Sequence, residues 1–301
     1  MMQKNLKYHF LMHGIIFTWG FTGILGKLIQ LDPFQIVFFR MLIAGLSLVA
    51  FLLLIGKSLK VEKKNYLWKI IGVGLIVSTH WLAFFQSIHV STVSLAVLCL
   101  ATTTLHVSWL EPLVMKRKFS ILEFILGLLI IVGIAFVSNN IDPSQHAGIA
   151  WGLLAAIMAA LFSVFNARMV KDVPSSTITT YEMITGTVVL FIVLSFQGRI
   201  TPEFFQMRGI DVVWLLVLGT ICTSAAFMLM IDVVDKIGAF SASLSINLEP
   251  VYTMILAIFI LNENQELSGR FYLGALFIVI IVFANPILKY YLAKRKKSPN
   301  L

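Results

Sequence analysis

Charge is scarce in this chain. Asp, Glu, Lys and Arg make up 12% of its 301 residues, about half the roughly 25% of a soluble domain, so most of its surface does not face water. There are two cysteines, Cys99 and Cys222, far apart and each inside an apolar run. That argues against a structural disulfide, and without a CxxC or Cys/His cluster no metal site is expected. No HExxH pair or Ser/His/Asp arrangement is evident, which leaves a membrane-embedded enzyme as a weaker reading. A phosphate loop is missing too: Gly26-Lys27 lacks the glycine five residues upstream that such a loop requires. Without it the chain cannot hydrolyse ATP alone. No cofactor, no catalytic residues and no nucleic-acid partner are expected.

Apolar length is what the chain has instead. The AVILMFWYC set supplies 59% of residues, and the mean hydropathy is +0.93. A helix needs roughly 20 apolar residues to cross about 30 Å of hydrocarbon. On that measure the sequence divides into ten spans, over residues 9–29, 33–55, 68–88, 91–114, 121–137, 147–166, 176–196, 212–234, 238–260 and 271–288. The third and fourth are divided on length: the uncharged stretch from Ile70 to Leu110 would make one helix of about 60 Å. The polar string Gln86, Ser87, His89, Ser91, Thr92 offers the turn. The N-terminal run from Tyr8 to Gly26 is longer than a typical signal-peptide core and reads as a first span that stays.

Basic residues set the orientation. With the N-terminus inside, eighteen of the 23 Lys and Arg fall on the cytoplasmic side and four outside, Arg40 lying within a span. The positive-inside rule therefore predicts both termini cytoplasmic, with residues 291–301 as a basic tail. The net +9 is thus an orientation signal and not a footprint for an acidic partner.

The second half of the chain echoes the first. Lys27 aligns with Arg168, Phe39-Arg40-Met41 with Tyr181-Glu182-Met183, Ser94 with Ser241, and Gly127 with Gly274. Because each unit has five spans, the second enters the membrane from the opposite side. The sequence predicts two inverted five-helix repeats, residues 9–138 and 147–290, an architecture that serves alternating access in secondary transporters.

Trp19-Gly20 with Lys27, Phe39-Arg40, Asn247-Leu248-Glu249-Pro250-Val251, and Asn262-Glu263 resemble, in content and spacing, the EamA branch of the drug/metabolite transporter superfamily. The resemblance covers roughly residues 10–290. It implies a ten-helix permease of bacterial inner membranes, often an exporter of amino acids or other small metabolites, with a central cavity between its halves. One departure stands out: Thr103 occupies the first-half position matching Pro250, where many relatives carry proline.

Ionisable residues within spans are costly and mark candidate sites. Glu249 lies about 16 Å into the ninth span, before Pro250, which breaks the helix and frees carbonyls near Ile246 and Asn247 to face a cavity. Glu249 and Asn247 are candidate ligands for substrate or a coupling proton. Arg40 and Glu182 sit at matching depths of about 10 Å on opposite sides and are candidate gate residues. His80, near the middle of the third span, can relay protons or bond across helices; Trp81 follows it, and His106 lies deeper in the fourth. Trp19 can stack on a planar substrate or simply pack. Glu111, Asp232 and Asp235 read as structural charges near span ends, and Gly14, Thr18 and Thr22 as a close-packing face.

The expected function is a secondary transporter for small metabolites such as amino acids, working as an exporter. Efflux of drugs or cationic compounds is the alternative. A channel or sensor is disfavoured, because the longest stretch between spans is about the 15 residues from Gln197 to Asp211. The expected partners are substrate, lipid and protons as coupling ion, in a monomer or homodimer.

Overall fold

The computed structural model describes residues 2–237, 245–246 and 248–297. Its helices are α1 (Met2–Leu28), α2 (Pro33–Leu54), α3 (Lys64–Val90), α4 (Val93–Leu100), α5 (Thr103–Met115), α6 (Ile121–Ser138), α7 (His146–Met169), α8 (Ser175–Phe196), α9 (Gly209–Leu216), α10 (Ala226–Ile237), α11 (Glu249–Leu261) and α12 (Gly269–Lys297). A π-helical segment, Val217–Ala225, joins α9 to α10. No strand occurs among the described residues.

Local chemistry sets the helix starts. Asp32 accepts from the amides of Phe34 and Gln35 while Gln35 Oε1 accepts from the Asp32 amide, and Pro33 opens α2. This is a capping box with proline where no amide bond is lost. The Thr92 and Ser120 hydroxyls cap α4 and α6 by accepting from the amides of Leu95 and Glu123. Gly56 and Gly198, both at φ 66°, follow α2 and α8 in the left-handed region that glycine enters without strain.

Among the described residues, seven helical stretches are long and apolar enough to cross a membrane: 33–54, 64–90, 93–115, 121–138, 143–169, 175–196 and 209–230. Two shorter apolar helices, Glu249–Leu261 and Gly269–Ala284, accompany them. The protein is a multi-pass membrane protein. Large apolar side chains are exposed along the outside, Leu54, Leu128, Val132, Phe191, Leu276 and Ile280 among them, as a lipid-facing surface requires.

Two of the spans read from the sequence are internally irregular. The fourth is broken at Ala101-Thr102, where the Thr102 hydroxyl donates to the Cys99 carbonyl at 2.7 Å and both local amides bond three residues back. Serine and threonine hydroxyls compete in this way for helix carbonyls. Thr103 thus opens α5 much as Glu249-Pro250 opens α11, and the absence of proline in the first half does not remove the interruption. The eighth span contains the π segment, in which Thr223 Oγ1 donates to the Leu218 carbonyl at 2.8 Å and Ser224 Oγ to those of Gly219 and Ala44 at 3.0 and 3.1 Å.

Helix α3 packs on α7 and α8, while α1 packs on α10 and α11. α2 lies against α8 and the π segment, α4 against α7 and α11, and α6 against α12. Lipid tails are as apolar as leucine, so close backbone approach, not hydrophobic exclusion, holds such helices together. Gly127 shows this: a Cβ there would stand 2.6 Å from the Leu105 Cα. The close-packing face of α1 differs from the sequence expectation. Nothing lies within 4 Å of a Cβ built on Gly14, whereas one on Gly26 would meet Phe85 at 2.5 Å. Thr18 bonds back to Gly14, and Thr22 faces a cavity. The contacts, from Gly20, Gly23 and Gly26, fall on the α1 face turned toward α3, α4 and α11, which apolar periodicity cannot identify in a helix apolar nearly all round.

Candidate functional site

A cavity of about 430 Å³ lies between the helices. Trp19 of α1, Arg40 of α2, His80 and Trp81 of α3, Glu182 of α8, and Glu249 and Pro250 of α11 all line it. Asn247, the remaining candidate, lies outside the described residues. Helices α2 and α8 contribute the two charges read from the sequence as gate candidates.

Arg40 is 3% exposed. Its Nε donates to Thr223 Oγ1 at 3.0 Å, and its guanidinium carbon stands 3.8 Å from the Trp81 ring centroid and 5.7 Å from that of Phe85. A planar, weakly hydrated cation suits such a stacked site. Nη1 has no hydrogen-bond partner among the described residues. The partners of Arg40 are thus a threonine hydroxyl of the π segment and an aromatic face.

Glu249 is the first residue of α11, half-buried, and its backbone carbonyl accepts from the Thr253 hydroxyl at 2.9 Å. Its carboxylate is within Coulombic range of Arg40, without a direct ion pair between them. Glu182, 3% exposed, has Oε1 without a partner. Beside it is Asn166 of α7, whose Oδ1 is also buried and unpartnered.

His80 bonds through Nδ1 to the Ala155 carbonyl at 2.8 Å. A carbonyl only accepts, so Nδ1 carries the proton and a neutral ring leaves Nε2 as an acceptor. Phe84 stacks on this ring and Phe162 meets it edge-on, at centroid distances of 6.4 and 5.3 Å. Trp19 packs on Phe227, with ring centroids 5.7 Å apart. His106 is not among the lining residues. Glu111 is ion-paired with Arg117 at 2.9 Å, as a structural charge would be. The side chains of Asp232 and Asp235 are outside the described set.

Asn166, Thr22 and Thr223 were missed in the sequence. Asn166 closes the sixth apolar run and there reads as a span boundary; the two threonines are common in apolar helices. Among the described residues no group of three His, Cys, Asp or Glu is placed to hold a metal.

The two ends of the molecule differ. Where α2 begins, Asp32 pairs with Arg199 at 3.0 Å, Gln35 Nε2 donates to the Phe204 carbonyl at 2.9 Å, and Asp211 accepts from the Gln30 amide at 3.0 Å. At that same end Glu263 accepts from the amides of Val93 and Ser94 at 2.7 and 3.0 Å. Each contact joins the first half of the chain to the second. At the opposite end, where α8 begins, Asp172 bonds to Tyr66 and lies 3.5 Å from Lys63. The cavity reaches toward that end, through Asn166 and Thr179.

The sequence model of the EamA-like transporter family matches residues 6–139 and again 146–285. The chain belongs to that family. It is 26% identical to the uncharacterized transporter YoaV of Bacillus subtilis over 91% of this chain and 96% of that one. It is 24% identical to the uncharacterized inner membrane transporter YicL of Salmonella typhimurium, over 87% and 89% of the two chains. It also resembles the adenosine 3'-phospho 5'-phosphosulfate transporter 1 of Drosophila melanogaster, at 24% identity over 61% of this chain and 40% of the fly protein. A solved crystal structure superposes with a TM-score of 0.66 over 94% of this chain and 97% of its own, at 16% identity, a likeness of fold.

Proposed function

We propose that this EamA-family transporter is a secondary transporter that exports small metabolites, amino acids among them, by alternating access through the central cavity. The observation carrying this reading is a chamber lined from both halves of the chain, with four ionisable groups, Arg40, His80, Glu182 and Glu249, on an otherwise largely apolar and aromatic wall. That composition suits a small ligand held by a few placed polar groups. Reciprocal packing supports the inverted repeat: α3 on α8 answers the π segment on α2, and α4 on α7 answers α11 on α1. Together with the Lys/Arg asymmetry, it supports ten spans, five in each of residues 9–138 and 147–290, with both termini cytoplasmic in a bacterial inner membrane.

On that topology the end tied by Asp32–Arg199 and Glu263 is external and closed, and the chamber leads toward the cytoplasm. Arg40 and Glu182 then act from the wall of the chamber, and Glu249 binds substrate or a coupling proton.

Efflux of cationic compounds is the second reading, favoured by two glutamates against one arginine on the wall. The same balance disfavours a polyanion such as the phosphosulfate named for the fly relative.

The test is reconstitution into proteoliposomes with flux of radiolabelled amino acids. Cysteines introduced at positions 32 and 172 report access from each side. Substrate-driven exchange of reactivity between the two positions is expected; fixed reactivity at both, with no flux, overturns the reading.

A further inference from the structure

Four polar atoms of the wall are buried without a hydrogen-bond partner among the described residues, and they are not alike. Thr22 Oγ1 is a hydroxyl and Arg40 Nη1 a donor; Glu182 Oε1 and Asn166 Oδ1 are acceptors. The Arg40 charge has Glu249 within Coulombic range. Glu182 has no such counterweight. Of the elements packed on α8, α2 offers Arg40, already engaged with Thr223 and Trp81, and α3 offers His80, whose proton is held by Ala155. Helix α7 brings the Asn166 side chain, which is hydrogen-bonded to Glu182, and among the described residues no other Lys or Arg lines the chamber. Beyond that mutual bond, Glu182 Oε1 and Asn166 Oδ1 face the chamber with no donor bonded to them among the described residues. Buried acceptors in that condition are destabilising until a ligand provides hydrogen.

We propose that Glu182 and Asn166 form a subsite for the ammonium group of the transported molecule. An ammonium carries three donors and one positive charge, enough for both oxygens with one hydrogen remaining for water or the ligand itself. Phe162 and Phe84, flanking His80 on the same wall, supply aromatic faces for a planar or apolar body attached to it. The cargo class is therefore a small organic amine with an aromatic or aliphatic body, within about 430 Å³. This assignment rests on the chamber being the cargo site. It gives Glu182 a ligand-binding role rather than that of a gate.

The test uses the purified full chain and three probes sharing one ring: tryptamine, N-acetyltryptamine and indole-3-propionate. Calorimetric titration is expected to show tryptamine binding at least about tenfold more tightly than either analogue, the neutral and anionic heads lacking the charge-assisted bond. Glu182→Gln should remove that preference. Asn166→Ala should weaken tryptamine binding in part, and Asn166→Asp should keep it. The Asn166 pair carries the test if Glu182→Gln does not unfold cooperatively.

Tryptamine binding no tighter than N-acetyltryptamine, or a preference untouched by Glu182→Gln and both Asn166 variants, overturns the proposal. A proton residing permanently on Glu182 would give that second result. Proteoliposome flux separates this inference from the transport reading. Flux of amines indifferent to Glu182 and Asn166 removes the subsite alone, whereas Glu182-dependent binding without any flux removes the transport reading alone.

Discussion

The Arg40 guanidinium carbon lies 3.8 Å from the centroid of the Trp81 ring, and the same side chain bonds Thr223. One buried cation thereby joins α2, α3 and the π segment at the chamber wall. A desolvated cation–π pair is worth about 2 kcal/mol. Trp81→Leu is expected to lower the apparent melting temperature of the detergent-solubilised protein by several degrees, and Trp81→Phe by less, since the smaller ring keeps part of the attraction. Equal melting temperatures for wild type and Trp81→Leu would show that Thr223 and lipid-excluded packing suffice to hold Arg40.

Glu263 makes the comparable link at one end of the molecule. Its two carboxylate oxygens accept the amides of Val93 and Ser94, capping α4 from the far end of α11. Charge-assisted caps at a helix N-terminus contribute about 1–2 kcal/mol. Glu263→Gln is expected to lower thermal stability by that order and to raise the reactivity of a cysteine placed at position 32, because the closure of that end loosens. Glu266→Gln, on an exposed neighbour, is the control and should change neither.

Much of the fold was legible because hydrocarbon permits few solutions. Every backbone group within it needs an internal partner, so long apolar runs must be helices. The charges Arg40, Glu182 and Glu249 were equally legible, since a costly residue inside a span announces itself. Their convergence was not. The repeat places Arg40 and Glu182 at matching positions and reads as two gates; the packing of α2, α3 and α8 puts both on the lining of one cavity, and such packing leaves no mark in a one-dimensional pattern. The π segment was hidden for a related reason: Thr223 and Ser224 become visible as its cause only once their hydroxyls are seen on carbonyls five residues back. Gly14 misled because small size alone does not say which face of a helix meets another.

Gly127 and Gly14 turn that distinction into a measurement. A methyl at position 127 would meet the Leu105 backbone at 2.6 Å, where no side chain can swing away, whereas position 14 is open. Gly127→Ala is expected to cost about 1–3 kcal/mol through overpacking and to reduce the yield of folded protein. Gly14→Ala is expected to be neutral or stabilising, since alanine is the better helix former by about 1 kcal/mol. Size-exclusion profiles and melting curves of the two variants, side by side, check the order; equal behaviour would count against the α5–α6 contact.

Asp172 gives the opposite end a pH dependence. The Tyr66 hydroxyl, and after it Lys63, hold its carboxyl below the usual carboxylate range. A group whose folded pKa is depressed contributes stability above its unfolded value and loses it as pH falls through the folded one. The Tyr66–Asp172 link is therefore fully made at neutral pH and released on acidification below the ordinary aspartate range. Amide hydrogen exchange of residues 170–173, corrected for its intrinsic pH dependence, is expected to quicken on acidification, and Asp172→Asn should show the faster exchange already at neutral pH. Exchange insensitive to both would mean that the turn is held by its own backbone bonds to Met169 and Asn166.

Glu249 supplies the last test, because its position combines a helix start with a charge. It is the first residue of α11, and it lines the chamber within Coulombic range of the Arg40 guanidinium. Glu249→Gln keeps the shape and removes the charge, leaving Arg40 without its counterweight. Flux in proteoliposomes is expected to fall at least about tenfold, with any dependence on a proton gradient lost, while the melting temperature stays within a few degrees of wild type. If Glu249 serves only to balance Arg40, the double variant Arg40→Met with Glu249→Gln should recover flux that each single variant lacks, since removing both members of a buried charge pair is far less costly than removing one. A double variant as inactive as Glu249→Gln alone assigns the carboxylate to the transported ligand or proton itself.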